Sequence, residues 1–181
     1  MTQREILQAV QDDSWMMEVL SAVVSLRLPD WSIGAGFVRN KVWDVLHGYK
    51  ESTPLNDIDV IYFDEKNVGE KDEKRIEQQL KKLRPDLPWS VKNQARMALV
   101  RGDEPYKNAE DGLSRWIETA TCVGVRLDKK GKLILAAPLG IDDLVELVIR
   151  QNILAKIPKK LFEKRITDKR WLTIWPKLRV I

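Results

Sequence analysis

Apolar positions recur at helical spacing from the start of the chain. Ile6, Leu7 and Val10 share one face, and Thr2 followed by Glu5 forms a capping box, so a short first helix is expected. A second begins near Asp13 or Ser14. Its run from Trp15 to Leu28 is apolar nearly all round, which predicts a helix buried between layers and ended by Pro29-Asp30. Trp31-Ser32-Ile33 reads as a short strand stopping at Gly34-Ala35-Gly36. Val38, Val42, Val45 and Leu46 then set a helix over 37–47, with Gly48 as its C-terminal cap. A polar loop over 49–56 delivers the chain to the clearest strand, Asp57-Ile58-Asp59-Val60-Ile61-Tyr62-Phe63.

The second half is less regular. After a polar loop over 64–71, Asp72 is expected to cap a charged surface helix reaching about Leu83 and halted by Pro85. Trp89-Ser90-Val91 predicts a strand with a helical turn through Asn93 to Leu99, and a further helix is expected around 108–117. The stretches 121–127 and 132–136 flank Asp128-Lys129-Lys130-Gly131, a turn that closes an antiparallel hairpin. Residues 141–149 read as an amphipathic helix, and Pro158 sits where the first turn of a last basic helix begins. Strands alternate with helices and one hairpin interrupts them. The expected architecture is therefore α/β (α+β), a mixed sheet flanked by helices in a single domain over 1–181, with a basic helical segment from about 150.

With 44% hydrophobic and 32% charged residues in 181, the chain is long enough to bury a full core. It has no apolar stretch fit for a signal-peptide core or a membrane span, so the expected location is the cytoplasm, away from any membrane. The lone Cys122 forms no internal disulfide and completes no structural zinc site. The net charge of +4 is modest but uneven: from Lys156 to Arg179 nine Lys or Arg face only Glu163 and Asp168. That tail calls for an anionic neighbour, either RNA, a nucleotide or the protein's own acidic surface. Trp171 and Trp175, four apart within it, fit a docking helix better than a base-stacking one.

Side chains alternate along a strand, so Asp57 and Asp59 share one face while Ile58 and Val60 point into the core. Two adjacent carboxylates repel unless a cation lies between them, and Mg²⁺ takes such hard oxygens together with substrate phosphates. Alone, the motif is equally an acidic pair at a loop without an ion. Gly34-Ala35-Gly36, where a strand breaks and runs into a helix, lets backbone N–H groups approach a phosphate, with Arg39 and Lys41 in position to extend the cradle. Arg39 stands where the third glycine of a dinucleotide fingerprint belongs, and no Gly-Lys-Ser/Thr is found after it, so neither a Rossmann nor a Walker loop is present. Asn93, Gln94 and Arg96 form a polar cluster that either reaches a nucleotide or simply starts a helix. His47, in the last turn of its helix, reads as structural.

Taken together, a strand ending in Gly-x-Gly, a helix and a strand bearing Asp-x-Asp resemble the nucleotidyltransferase fold of the DNA polymerase β-like superfamily. WSIGAGFVRNKVWDVLHG (31–48), DIDVIYFD (57–64), WSVKNQARM (89–97), IETATCVGVRL (117–127) and the closing 171–178 segment resemble, more narrowly, a small bacterial nucleotidyltransferase-like family over nearly the whole chain. The resemblance implies metal-dependent transfer of a nucleotidyl group from an NTP to an unidentified acceptor, a small molecule, a protein or RNA. Mg²⁺, or Mn²⁺ in its place, would sit on Asp57 and Asp59. Gly34, Gly36, Arg39, Asn40, Asn93 and Arg96 would contact the nucleotide. Two departures stand out: the 20 residues between Gly36 and Asp57 exceed the commoner spacing, and Ser90 occupies the later strand on which a third carboxylate is usual. Glu118, just before the 119–127 strand region, is the candidate for that acid, or else an exposed helix-end glutamate. Without a third acid the chain would be an inactive nucleotide- or RNA-binding module on the same fold.

Overall fold

A computed structural model describes all 181 residues. The chain opens with α1 (Gln3–Gln11), started by the Thr2/Glu5 capping box, and α2 (Ser14–Ser25), capped by the Asp13 carboxylate. Then come β1 (Ser32–Gly34), α3 (Gly36–His47), β2 (Ile58–Tyr62), α4 (Glu70–Leu83), β3 (Trp89–Asn93), α5 (Gln94–Arg101) and α6 (Ala109–Leu113). The remainder is β4 (Gly124–Leu127), β5 (Leu133–Ala136), α7 (Asp142–Val145), β6 (Val148–Ile149), α8 (Lys159–Lys169), α9 (Trp171–Ile174) and β7 (Arg179–Val180). No helix is long and apolar enough to cross a membrane.

Five strands form one mixed sheet in the order β3-β2-β1-β4-β5, in which only β2 and β3 run parallel. The period of two along β2 sorts its side chains: Ile58, Val60 and Tyr62 enter the main core with Trp89 and Val91 of β3. Ile61 faces the other side, where α6 covers it with Leu113 and the partly exposed Trp116. Asp59 lies directly beside Ser90 in the parallel register, and Ile61 beside Lys92, so these four share the face away from the main core.

Several expectations need correction. Only one side of α2 is buried, through Met16, Val19, Leu20 and Val23, so it lies on the surface of the fold and not between layers. The N-cap of α4 is Gly69, with Asp72 inside its first turn. The 108–117 helix stops at Leu113. The strand expected from 121 begins at Gly124, because Thr119–Thr121 forms a 3-10 turn. The helix expected over 141–149 ends at Val145; Leu147 takes φ 60, and the chain then pairs as β6 with β7. Pro158 is the N-cap of α8, one residue before its first turn.

Candidate active site

Where β1 ends, the chain must turn into α3 within one residue. Ala35 does so at φ 50, ψ −121, a conformation costly for any residue with a Cβ, and its N–H is held by the Val123 carbonyl at 2.9 Å. No side chain caps α3, so the Gly36 and Phe37 N–H groups are left to a ligand, while Val38 N donates to the Ala35 carbonyl at 3.2 Å. Gly36 packs closely under Leu55: a Cβ there would lie 3.3 Å from Leu55 Cδ2. Gly34 plays a different part from the one expected. It is paired within the sheet, and a Cβ on it would meet Trp116 at 3.2 Å and Leu113 at 3.3 Å, so it serves packing and does not line the site.

An open cleft of about 330 Å³ runs past this turn. Ala35, Gly36, Arg39 and Asn40 line it from α3, Asp57 and Asp59 from the mouth of β2, and Arg165, Lys169, Trp171 and Trp175 from the C-terminal segment. Arg101, Trp116 and Thr121 complete the wall. Burial, reinforced by the neighbouring Asp57 charge, pushes the Asp59 carboxyl up to about 6; Ser90, Arg39 and Lys169 oppose the shift. Two carboxylates thus stand on one patch, one of them reluctant to ionise without a cation beside it.

Arg39 is the most constrained of the cations. Its Nη1 donates to Thr121 Oγ1 at 3.0 Å and its Nη2 to Asn40 Oδ1 at 2.9 Å, while the guanidinium stacks 4.3 Å from the Trp171 ring centroid. Burial lowers its pKa to about 10, offset in part by Glu118, which leaves it charged at neutral pH. Asn40 accepts that bond and also borders the cleft. Lys41 instead pairs with Asp13 at 2.8 Å, outside it.

Besides Gly34, three expected site residues are placed elsewhere. Glu118 is 1% exposed; its Oε1 accepts from Arg165 Nε at 2.6 Å and its Oε2 has no partner. It is not an exposed helix-end residue: it is buried and paired with Arg165, and it belongs to no group of three acidic, His or Cys side chains that could hold a metal. Its work is to fix Arg165 in the cleft wall. Asn93 caps α5 and ties down the 64–67 loop, accepting from Asp64 N and donating to the Asp64 and Asn67 carbonyls. Arg96 grips buried Glu73 with two bonds of 2.8 and 2.7 Å. Neither residue lines the cleft. His47 is a joint, its Nδ1 2.7 Å from the Trp43 carbonyl and its Nε2 accepting the Lys177 N–H.

A family profile described as nucleotidyltransferase matches residues 21–180, a span that holds every lining residue of the cleft. The chain belongs to this nucleotidyltransferase family. A solved NMR structure described as revealing a CCA-adding enzyme head domain superposes on it with a TM-score of 0.86 at 28% identity, covering 99% of this chain and 96% of that one. Two structures of tRNA-processing enzymes share 20% and 18% identity at TM-scores of 0.44 and 0.46, and the match takes in only 35% and 40% of their lengths. No curated protein matches the sequence.

Of the residues expected in the site, Gly36, Arg39, Asn40 and the aspartate pair line the cleft of this nucleotidyltransferase and Gly34 does not. Sequence reasoning missed Arg101, Arg165, Lys169, Trp116 and Thr121. For Arg165 and Lys169 the signal was the basic tail. For Arg101, at the end of a helix far along the chain, no local pattern marks it.

Proposed function

We propose that this nucleotidyltransferase binds a nucleoside triphosphate with Mg²⁺, or Mn²⁺, on Asp57 and Asp59 and transfers the nucleotidyl group to a hydroxyl of an acceptor, whether small molecule, protein or RNA. The observation that carries the reading is the convergence, in one cleft, of an uncapped helix N-terminus, two carboxylates and the cations Arg39, Arg101, Arg165 and Lys169. The donor set suits a hard divalent ion: two carboxylates on one strand mouth, with room beside them for phosphate oxygens and water. Such an ion would neutralise charge on the phosphates during transfer.

The protein's own groups do the rest. The first turn of α3 and Arg39 receive phosphate oxygens, Arg165 and Lys169 close over them from the C-terminal side, and Glu118 keeps Arg165 aimed. The acceptor oxygen bonds to the α-phosphorus, the bond to the bridging oxygen breaks, pyrophosphate leaves with that electron pair, and the hydroxyl proton passes to solvent. Asp57→Asn with Asp59→Asn is expected to abolish metal-dependent binding in calorimetric titrations of ATP, GTP, CTP and UTP; undiminished binding would reject the assignment.

A second reading is favoured by one observation. Ser90 stands beside Asp59 where a third acid would reach, and Glu118 is committed to Arg165. A module that binds nucleotide without turnover fits those facts. It requires the triphosphate to stay intact with every acceptor tried, and release of pyrophosphate eliminates it.

A further inference from the structure

A second, smaller cavity of about 160 Å³ adjoins the triphosphate cleft. Asp59, Arg101 and Trp116 line both spaces, so the two meet at the aspartate. Lys92, Gln94 and Met97 belong to the smaller one alone. Transfer to phosphorus needs the attacking oxygen to approach opposite the leaving oxygen, so the acceptor must enter through a space that adjoins the triphosphate's own, as this cavity does.

The chemistry of the lining is specific. Gln94 is 3% exposed, its Nε2 makes one long bond of 3.3 Å to the Lys92 carbonyl, and no donor reaches its Oε1. That oxygen, open on the cavity side, can accept from a hydroxyl or amine. Gly112 exists to admit it: a Cβ there would fall 2.5 Å from that same Oε1. Two cations, Lys92 and Arg101, line it beside the Asp59 carboxylate. Glu73 is already gripped by Arg96, so Lys92 at 3.4 Å is its second cation, and Asp103 is likewise shared by Arg101 and Lys156. The Trp116 ring adds a flat apolar wall. The volume is well below the roughly 300 Å³ at which ordinary small-molecule pockets begin, so it admits one ring and not a whole nucleotide.

We propose that this cavity receives the reacting end of the acceptor, a phosphorylated sugar whose ring lies on Trp116, whose hydroxyl donates to Gln94 Oε1 and whose phosphate meets Lys92 and Arg101. The proposal rests on the reading above and names the acceptor's class. That end belongs either to a free sugar phosphate or mononucleotide, or to the 3′ terminus of a polynucleotide.

The test uses the full chain loaded with Mg²⁺ and α,β-methylene-ATP, followed through the Trp116 indole N–H signal, assigned by its loss in Trp116→Phe. Ribose 5-phosphate, and separately a short RNA with a free 3′-hydroxyl, is then titrated in. A further shift of the Trp116 signal is expected. Lys92→Ala, which removes a charge, and Met97→Trp, which fills the cavity, should each weaken probe binding about tenfold while leaving the affinity for the analogue within about twofold. RNA binding at least about tenfold tighter than ribose 5-phosphate identifies a polynucleotide end, and comparable affinities a free sugar phosphate. An analogue that binds without any Trp116 response to either probe overturns the proposal alone, as does probe binding indifferent to both variants. If the analogue does not bind with metal at all, the function proposed above falls and takes this inference with it.

Discussion

At the scale of the residue, Asp59 carries the clearest pH signature. Its folded carboxyl sits near 6 against an ordinary 3.8, chiefly through burial and then through Asp57. A raised carboxyl means that the folded state prefers the protonated form. The stability it contributes is whole below about pH 4, is lost as pH rises through about 6, and amounts to about 3 kcal/mol at the limit. A divalent ion bound as proposed would reverse the preference, since only the ionised group is a ligand. In metal-free protein Asp59→Asn is therefore expected to raise the melting temperature at about pH 7.5, with the gain fading by about pH 4. Added Mg²⁺ should stabilise the parent and not the variant. A difference between the two that does not change with pH would contradict this account. The residue scale also shows why Glu118 misleads when read from sequence: there it is one acid before a strand, and only the distant Arg165 reveals that its charge is spoken for. Arg96 misleads for the same reason, its partner Glu73 lying 23 positions away.

At the scale of the element, the unusual loop between Gly36 and Asp57 finds its reason in Asp44. This buried carboxylate, on α3, accepts the Thr53 N–H at 2.8 Å, the Thr53 hydroxyl at 2.7 Å and the Trp175 indole N–H at 2.7 Å. Thr53, Pro54 and Leu55 form one lip of the cleft and Trp175 part of the other, so a single side chain registers both lips to the helix that presents Gly36. Asp44→Ala strands three donors and is expected to cost about 3 kcal/mol in urea denaturation, whereas Thr53→Val, which removes one bond, should cost about 1 kcal/mol. Triphosphate binding should weaken more in the first variant than in the second; equal losses would show that the two lips are not joined through Asp44. Local pattern was enough to place most elements, because the caps and glycines that bound them are written nearby: Thr2 with Glu5, Asp13, Gly48 and the 128–131 turn all act as expected. The pattern failed at 141–149, where apolar spacing suits a helix but Leu147 at φ 60 breaks it, and β7, from the far end of the chain, pairs with Val148 and Ile149. Helical periodicity reports the wish of a segment to bury one face, and a distant strand can satisfy that wish otherwise. The candidate site divides in the same way. The glycine turn and Asp-x-Asp are contiguous and legible, whereas Arg101, Arg165 and Trp116 come together only in the folded chain.

At the scale of the whole molecule, the basic tail is a wall of the site and not an appendage. Trp171 and Trp175 pack edge-on to Trp43 at 5.6 and 5.1 Å between centroids, and Arg165 pairs with Glu118 Oε1. Lys156 lies 3.3 Å from Asp103, so part of the tail's charge meets the protein's own acids, while Arg165 and Lys169 turn into the cleft. The energetic weight of this segment decides whether the rest can stand without it. Residues 159–181 place Phe162, Ile166, Trp171, Trp175 and Leu178 in the main core. At roughly 1.5–3 kcal/mol for each large side chain fully buried, the five contribute about 10 kcal/mol. That is comparable with the whole net stability of an ordinary domain, about 5–15 kcal/mol. Removal would also leave Glu118 buried without a cation, a state that costs about 3–5 kcal/mol more. A chain ending at Pro158 is therefore expected to show no cooperative thermal transition by circular dichroism and no protected amides in hydrogen exchange. A cooperative melt of that fragment would mean that the C-terminal segment merely covers a core already complete, and the cleft would then be open on that side to whatever the segment normally shields.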